Sequence, residues 1–292
     1  MDPTYPLMGA LVLLLVLVQL NQRLASPIIA IICRWMRWGV FSTSAAWTLV
    51  EFECTDRPYW AVLAACSLIW LLFETIYNWL MVNALSSSSV SMFPHYVINP
   101  AGDEWPVQRK FLQLRETLRF RGFLPTQALR AEIAGGLYLR CSFYEHPDSK
   151  IRIQLHFIPQ PSGAISLSCV ISSVTASGLR VVTDNLHIPF GGFYPQNWQV
   201  ERRPMIRSVL RLLEVHQDRV HNTGDKVVPF EQLAFVDLEN TQRELDRLNT
   251  ELGFLLPHGD REEFGKISHE GRYRVWKEVW MLEYLGRSSR YY

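Results

Sequence analysis

Tyr59 to Val82 reads YWAVLAACSLIWLLFETIYNWLMV, and this stretch decides the architecture of the chain. About 20 apolar residues rising 1.5 Å each cover a hydrocarbon layer of roughly 30 Å, so the stretch predicts a membrane-spanning helix. Its one acid, Glu74, lies inside the apolar run, where an ionised carboxyl costs about 2.5 to 3.5 kcal/mol on insertion scales. Asn78 follows one helical turn later and offers a hydrogen-bond partner. This intramembrane polar pair has a structural reading, in which a neighbouring helix or a second copy holds the acid. It also has a functional one, a relay through Glu74. A relay needs more polar positions than two spans supply, which favours the structural reading.

Upstream, Leu7 to Leu20 is nearly uniform Leu and Val, with no basic residue before it and Asn21, Gln22 and Arg23 after it. A cleaved secretory signal wants the opposite order of charge. An uncleaved helix from about residue 6 to 20, extendable to 32 if Arg23 snorkels, is expected. Pro27 to Val50 is interrupted by Arg34 and Arg37 beside Trp35 and Trp38, which predicts an interfacial helix joining two spans. Arg23, Arg34, Arg37 and Arg57 then all fall between the spans, and Asn83 to Pro106 has no Lys or Arg. With two spans, the positive-inside rule puts the connecting loop in the cytoplasm and the rest of the chain in the periplasm.

The 29 basic and 28 acidic residues leave a net charge of +1, without the basic footprint that displaces counterions from nucleic acid. The expected partners are therefore the lipid bilayer and another membrane protein or a second copy, not nucleic acid. The five cysteines form no C-x-x-C pair. Cys141 and Cys169 are the two within the soluble part that could bridge, although both sit in strand-like runs where packing accounts for them.

Ser86 to Ser91 reads as a flexible serine-rich hinge, giving a membrane region over 1–85, a linker over 86–100 and a soluble domain over 101–292. Val107, Phe111, Leu114 and Leu118 predict an amphipathic helix over 107–121. From Leu137 the period drops to two. Leu137, Leu139, Cys141 and Phe143 alternate with polar or aromatic neighbours, and Ile151, Ile153, Leu155 and Phe157 do the same after the His146-Pro147-Asp148-Ser149 turn. With strands at 165–174 and 179–183, the expectation is a four-stranded antiparallel meander with one buried face. Helices are expected over 202–221, 230–252 and 273–285.

Candidate chemistry is sparse. His216 and His221 are five apart, which turns them to different helix faces instead of onto one metal ion, so no metal and no cofactor is expected. Pro189-Phe190-Gly191-Gly192-Phe193-Tyr194-Pro195 interleaves aromatics with Gly and Pro. Its Phe190, Phe193 and Tyr194 are candidate ligand-binding residues, with His187 and His216 as polar candidates, although such a loop also serves to staple a crossover onto a sheet. Asp184, His187 and Ser177 near one sheet end sketch a hydrolase, but Asp, His and Ser at turns usually bond local backbone.

Ser168 through Ser177-Gly178-Leu179-Arg180-Val181-Val182-Thr183-Asp184-Asn185, Pro189 and Leu212 to Val220 together resemble a recurrent pattern in an uncharacterised group of bacterial membrane-anchored proteins. The resemblance covers about a fifth of the chain and implies membrane anchoring and an element order, with no activity attached. The combined expectation is an α+β protein, with N-terminal transmembrane helices and a soluble sheet covered by helices. Its expected role is a non-enzymatic interaction module at a bacterial inner membrane, the alternatives being the hydrolase or the relay.

Overall fold

The computed structural model describes residues 4–134, 136–160 and 163–289. It is a mixed α+β fold whose first third is three long helices, α1 (Thr4–Leu24), α2 (Pro27–Glu51) and α3 (Tyr59–Ser87). Then come β1 (Tyr96–Ile98), α4 (Arg109–Phe120), β2 (Leu124–Ala134), β3 (Leu137–Glu145), β4 (Arg152–Pro159), β5 (Ile165–Thr175), β6 (Arg180–Asp184) and β7 (Trp198–Arg202). The chain continues through α5 (Val209–Asn222), β8 (Val227–Val228), α6 (Ala234–Glu251), a short α7 (Arg261–Phe264) and α8 (His269–Leu285).

Two of these helices, α1 and α3, are long and apolar enough to cross a membrane. In α3 the buried residues are Val62, Cys66, Glu74, Asn78, Val82 and Ser86, a stripe repeating every fourth position. That places both polar residues of the apolar run on the protein-facing side and leaves Leu68, Leu72, Phe73, Ile76 and Leu80 exposed. In α1 the unexposed described positions are Leu7, Ala10, Leu14, Leu17 and Asn21, alternately three and four apart, the spacing of a helix lying lengthwise on a neighbour. The neighbour is α2, reached through Ala25 and Ser26 alone, so the two form an antiparallel pair. Ala25 takes a left-handed turn (φ 47°), and the Asn21 side chain accepts the Ser26 N–H at 2.7 Å.

Helix α2 also runs antiparallel to α3. Arg34 meets Glu74, the Trp38 indole donates to the Ser67 carbonyl (3.2 Å), Phe41 packs against Trp70, and Ala46 packs with Val62 and Cys66. The segment expected to be interfacial is one continuous helix packed along both α1 and α3. At 25 residues it is about as long as its neighbours, and it carries Arg34 because α3 and α8 supply the acids. It follows that α1 and α3 are parallel.

The sheet corrects the four-strand expectation. It has eight strands in the order β1-β2-β3-β4-β5-β6-β7, with β8 pairing β5 at Val174 and Thr175. All pairs are antiparallel except β6 with β7. Strand β2 was hidden because Gln-Ala-Leu-Arg-Ala-Glu-Ile-Ala is built of helix formers; pairing with β1 and β3 on either side overrides that weak preference. The span 202–208, expected to be helical, ends β7 and forms the loop before α5, whose N-cap Ser208 accepts from the Arg211 N–H.

Both faces of the sheet are covered, not one. Tyr144, Ile153, Leu155, Phe157, Cys169 and Ile171 pack under α4 and α5. Leu129, Ala131, Leu139, Cys141 and Phe143 pack with Tyr96 and with Ala234 of α6. Adjacent residues Phe143 and Tyr144 therefore lie in different cores. So do Cys141 and Cys169, and both are free thiols, which removes the disulfide option. At the start of the segment expected to be a serine-rich hinge, Ser86 belongs to α3, is 1% exposed and accepts the Ile267 N–H at 3.1 Å. Lys266 holds the Ser88 carbonyl at 2.7 Å, so this junction is bonded down.

Candidate functional site

The densest polar cluster among the apolar helices forms where α2, α3 and α8 meet. Glu74 accepts from the Trp70 indole (3.0 Å), pairs with Arg34 Nε (3.2 Å) and accepts the Tyr284 hydroxyl. Arg34 also pairs with Glu283 of α8. Trp35 donates its indole N–H to the Tyr284 carbonyl at 3.0 Å, and Trp35 and Trp38 stack with each other and meet the Tyr284 ring edge-on. Asn78, one turn from Glu74, is 3% exposed, and its amide nitrogen has no hydrogen-bond partner among the described residues. An acid bound by a guanidinium, a phenol and an indole is a clamp, and the Glu74 cluster ties the end of the sheet domain into the helix bundle. Sequence reading missed Arg34 and Tyr284 as its partners; the available signal was that Arg34 is a cation on the helix preceding an apolar run that holds an acid.

The aromatic loop 189–195 lies within the crossover from β6 to β7, the link that parallel pairing demands. Phe190 contacts Phe93, Tyr194 and Phe254, and Tyr194 stacks on Trp198. Phe193 lies under the Arg274 guanidinium at 3.8 Å, while Asn249 accepts its N–H and donates to its carbonyl. A Cβ on Gly191 would stand 2.7 Å from the Arg274 backbone, so glycine permits the close approach to α8. These three aromatics are engaged with the protein itself.

The polar candidates do not converge. His216 is 0% exposed; its Nε2 meets Ser173 Oγ (3.0 Å) and its Nδ1 meets Thr183 Oγ1 (2.9 Å). Burial, helped by the Arg219 charge, pushes it down to about 3. Burial also lowers His187, with nearby Arg202 adding to the effect, and its Nδ1 has no partner among the described residues. Asp184 gives Oδ1 to Arg202 Nε (2.9 Å) and the Leu186 N–H (3.0 Å), and among the described residues no hydrogen bond joins it to His187. Ser177 bonds Thr175 and, through its N–H, Asp225. Among the described residues no three His, Cys, Asp or Glu are grouped to hold a metal ion.

Open concave surface lies elsewhere. A groove of about 660 Å³ runs along α6, bordered by Phe93, Tyr96, Arg243, Asp246, Arg247 and His258. Asp246 is held by Arg261 (3.0 Å) and His258 (2.9 Å), and the largely exposed Arg243 and Arg247 pair along the helix with Glu239 (3.7 Å) and Glu251 (3.6 Å), two acids that also line the groove. Comparison with protein-family models, curated proteins and solved structures finds no match for this chain.

Proposed function

We propose that the chain is a membrane-anchored, non-enzymatic interaction module of a bacterial inner membrane, with α1, α2 and α3 crossing the bilayer and the sheet domain on its cytoplasmic face. One observation carries this reading: three helix ends meet the sheet domain together. Arg207 donates to the Leu24 carbonyl at the end of α1 (2.8 Å), Trp35 near the start of α2 bonds Tyr284, and Arg272 donates to Asn83 near the end of α3 (3.0 Å). Two parallel helices that both end at the domain require the helix between them to return across.

Three crossings reverse the charge argument that favoured the periplasm. Arg23, Arg34 and Arg37 now lie at the domain end, while the far end carries Glu51, Glu53, Asp56 and Arg57. The positive-inside rule then puts the domain in the cytoplasm. The clamped Glu74, the stapled aromatic loop and the buried His216 favour binding over catalysis, and the α6 groove is the surface offered to a protein partner or a second copy.

Protease protection tests the reading. Trypsin added to inverted inner-membrane vesicles should digest the sheet domain, and the chain should stay with membranes washed at alkaline pH. Release by the wash would overturn the anchor, and protection in inverted vesicles would overturn the sidedness. A photo-reactive residue at position 247 should give a discrete protein adduct in cells; its absence would remove the interaction role.

A further inference from the structure

We infer that the loop Arg203-Pro204-Met205-Ile206-Arg207, together with Arg23 and Arg287, forms a binding surface for the phosphate of an anionic glycerophospholipid. This rests on the membrane reading above and goes beyond it by naming the lipid class and the residues. The loop connects β7 to α5 and lies against the α1–α2 corner. Arg207 caps the end of α1 through the Leu24 carbonyl, which keeps its guanidinium at that corner without neutralising it. Met205 and Ile31 of α2 both close on Gly286: a Cβ there would meet Met205 Cε at 2.7 Å and Ile31 Cδ1 at 3.0 Å. That contact brings Arg287, the next residue, to the same place.

The charges around this corner are unbalanced. Glu201 pairs with Arg203 and Arg219, Glu283 with Arg34, and Glu214 with Arg211, while Glu278 accepts from Ser288 and the Ser289 N–H. Among the described residues no acid pairs with Arg23, Arg207 or Arg287, and all three are exposed. The apolar faces of the helices begin at once beside them, with Leu20, Leu24, Ile28 and Ile32 all exposed. A lipid whose chains lie on those residues has its phosphate at the level of the guanidinium groups, which match phosphate oxygens in bidentate fashion.

The test uses the full chain in nanodiscs of phosphatidylcholine, alone or mixed with phosphatidylglycerol. Lipid retained after detergent washing is quantified by mass spectrometry. Phosphatidylglycerol should be enriched several-fold over its share of the disc. Arg207→Gln with Arg287→Gln should cut the enrichment roughly five-fold per arginine, and Arg→Lys at both positions should restore only the part that charge alone supplies. Equal retention of both lipids by an inserted chain would overturn the proposal, as would displacement of the lipid by inorganic phosphate, which would mark a free-anion site. Failure to insert into either disc would instead overturn the membrane reading. If the glutamine pair misfolds, wild-type enrichment that is indifferent to salt would itself be a refutation, because surface electrostatics are screened.

Discussion

Lowering the pH from about 7.5 to about 5 should destabilise the sheet domain through two histidines that the fold keeps neutral. His216 is sealed between β5, β6 and α5 and pushed down to about 3; His156, 8% exposed and 3.4 Å from the Tyr96 hydroxyl, is pushed down to about 4 by burial. In the unfolded chain both titrate near 6.5, so below that pH the unfolded state binds protons the native state refuses. Stability is therefore complete above the unfolded value and falls as the solution is acidified toward the native one. The slope is about 1.4 kcal/mol per pH unit for each ring, or about 2 kcal/mol each at about pH 5. Asp148 and Asp225, both lowered, begin to lose their contribution only near the ordinary carboxylate range of 3.8, while His187, also lowered by burial, adds to the loss and Asp184, raised by burial, works against it. Urea unfolding in detergent micelles, followed by tryptophan fluorescence, should show the midpoint falling between the two pH values. His216→Gln should remove about half of the loss. An unchanged midpoint in the wild-type chain would refute the reasoning.

Arg152, 3% exposed, joins Glu145 (2.6 Å) and Asp237 (2.7 Å) and lies over Phe230; Arg152→Ala should cost about 3 kcal/mol in the same unfolding assay, since it strands Glu145 in a buried site. Gly271→Ala should cost about 2 kcal/mol, because the new Cβ would stand 2.3 Å from the Phe254 carbonyl oxygen. Glu74→Ala deprives Arg34, Trp70 and Tyr284 of their common acceptor. Amide exchange over 280–285 should accelerate at least ten-fold while β4 and β5 stay protected, and unchanged exchange would mean the cluster does not fasten α8.

What the sequence made legible was whatever one period could encode. The unbroken apolar run of α3 and the two-residue alternation of β3 and β4 identified those elements close to their true limits. Hidden features depended on distant partners. Strand β2 has the local composition of a helix, β7 needs a parallel neighbour delivered by a stapled crossover, and the clamp on Glu74 draws Tyr284 from 210 residues away. Reading α2 as interfacial weighed Arg34 as a cost to be kept near headgroups. The sequence could not show that Arg34 pairs with Glu74 and Glu283, because those acids lie on other helices. The aromatic loop drew attention because Gly and Pro beside aromatics read as exposed, whereas its glycines permit close approach to α8 and Asn249.

The central claim is that the segment joining α2 to α3 lies across the membrane from the sheet domain, and the chain carries its own probe for it. Cys54 in that segment is exposed, whereas Cys33, Cys66, Cys141 and Cys169 are buried. A membrane-impermeant maleimide added to intact spheroplasts should label the native chain, and Cys54→Ser should abolish the signal. Labelling confined to inverted vesicles would put Cys54 on the cytoplasmic face and contradict the three-crossing account.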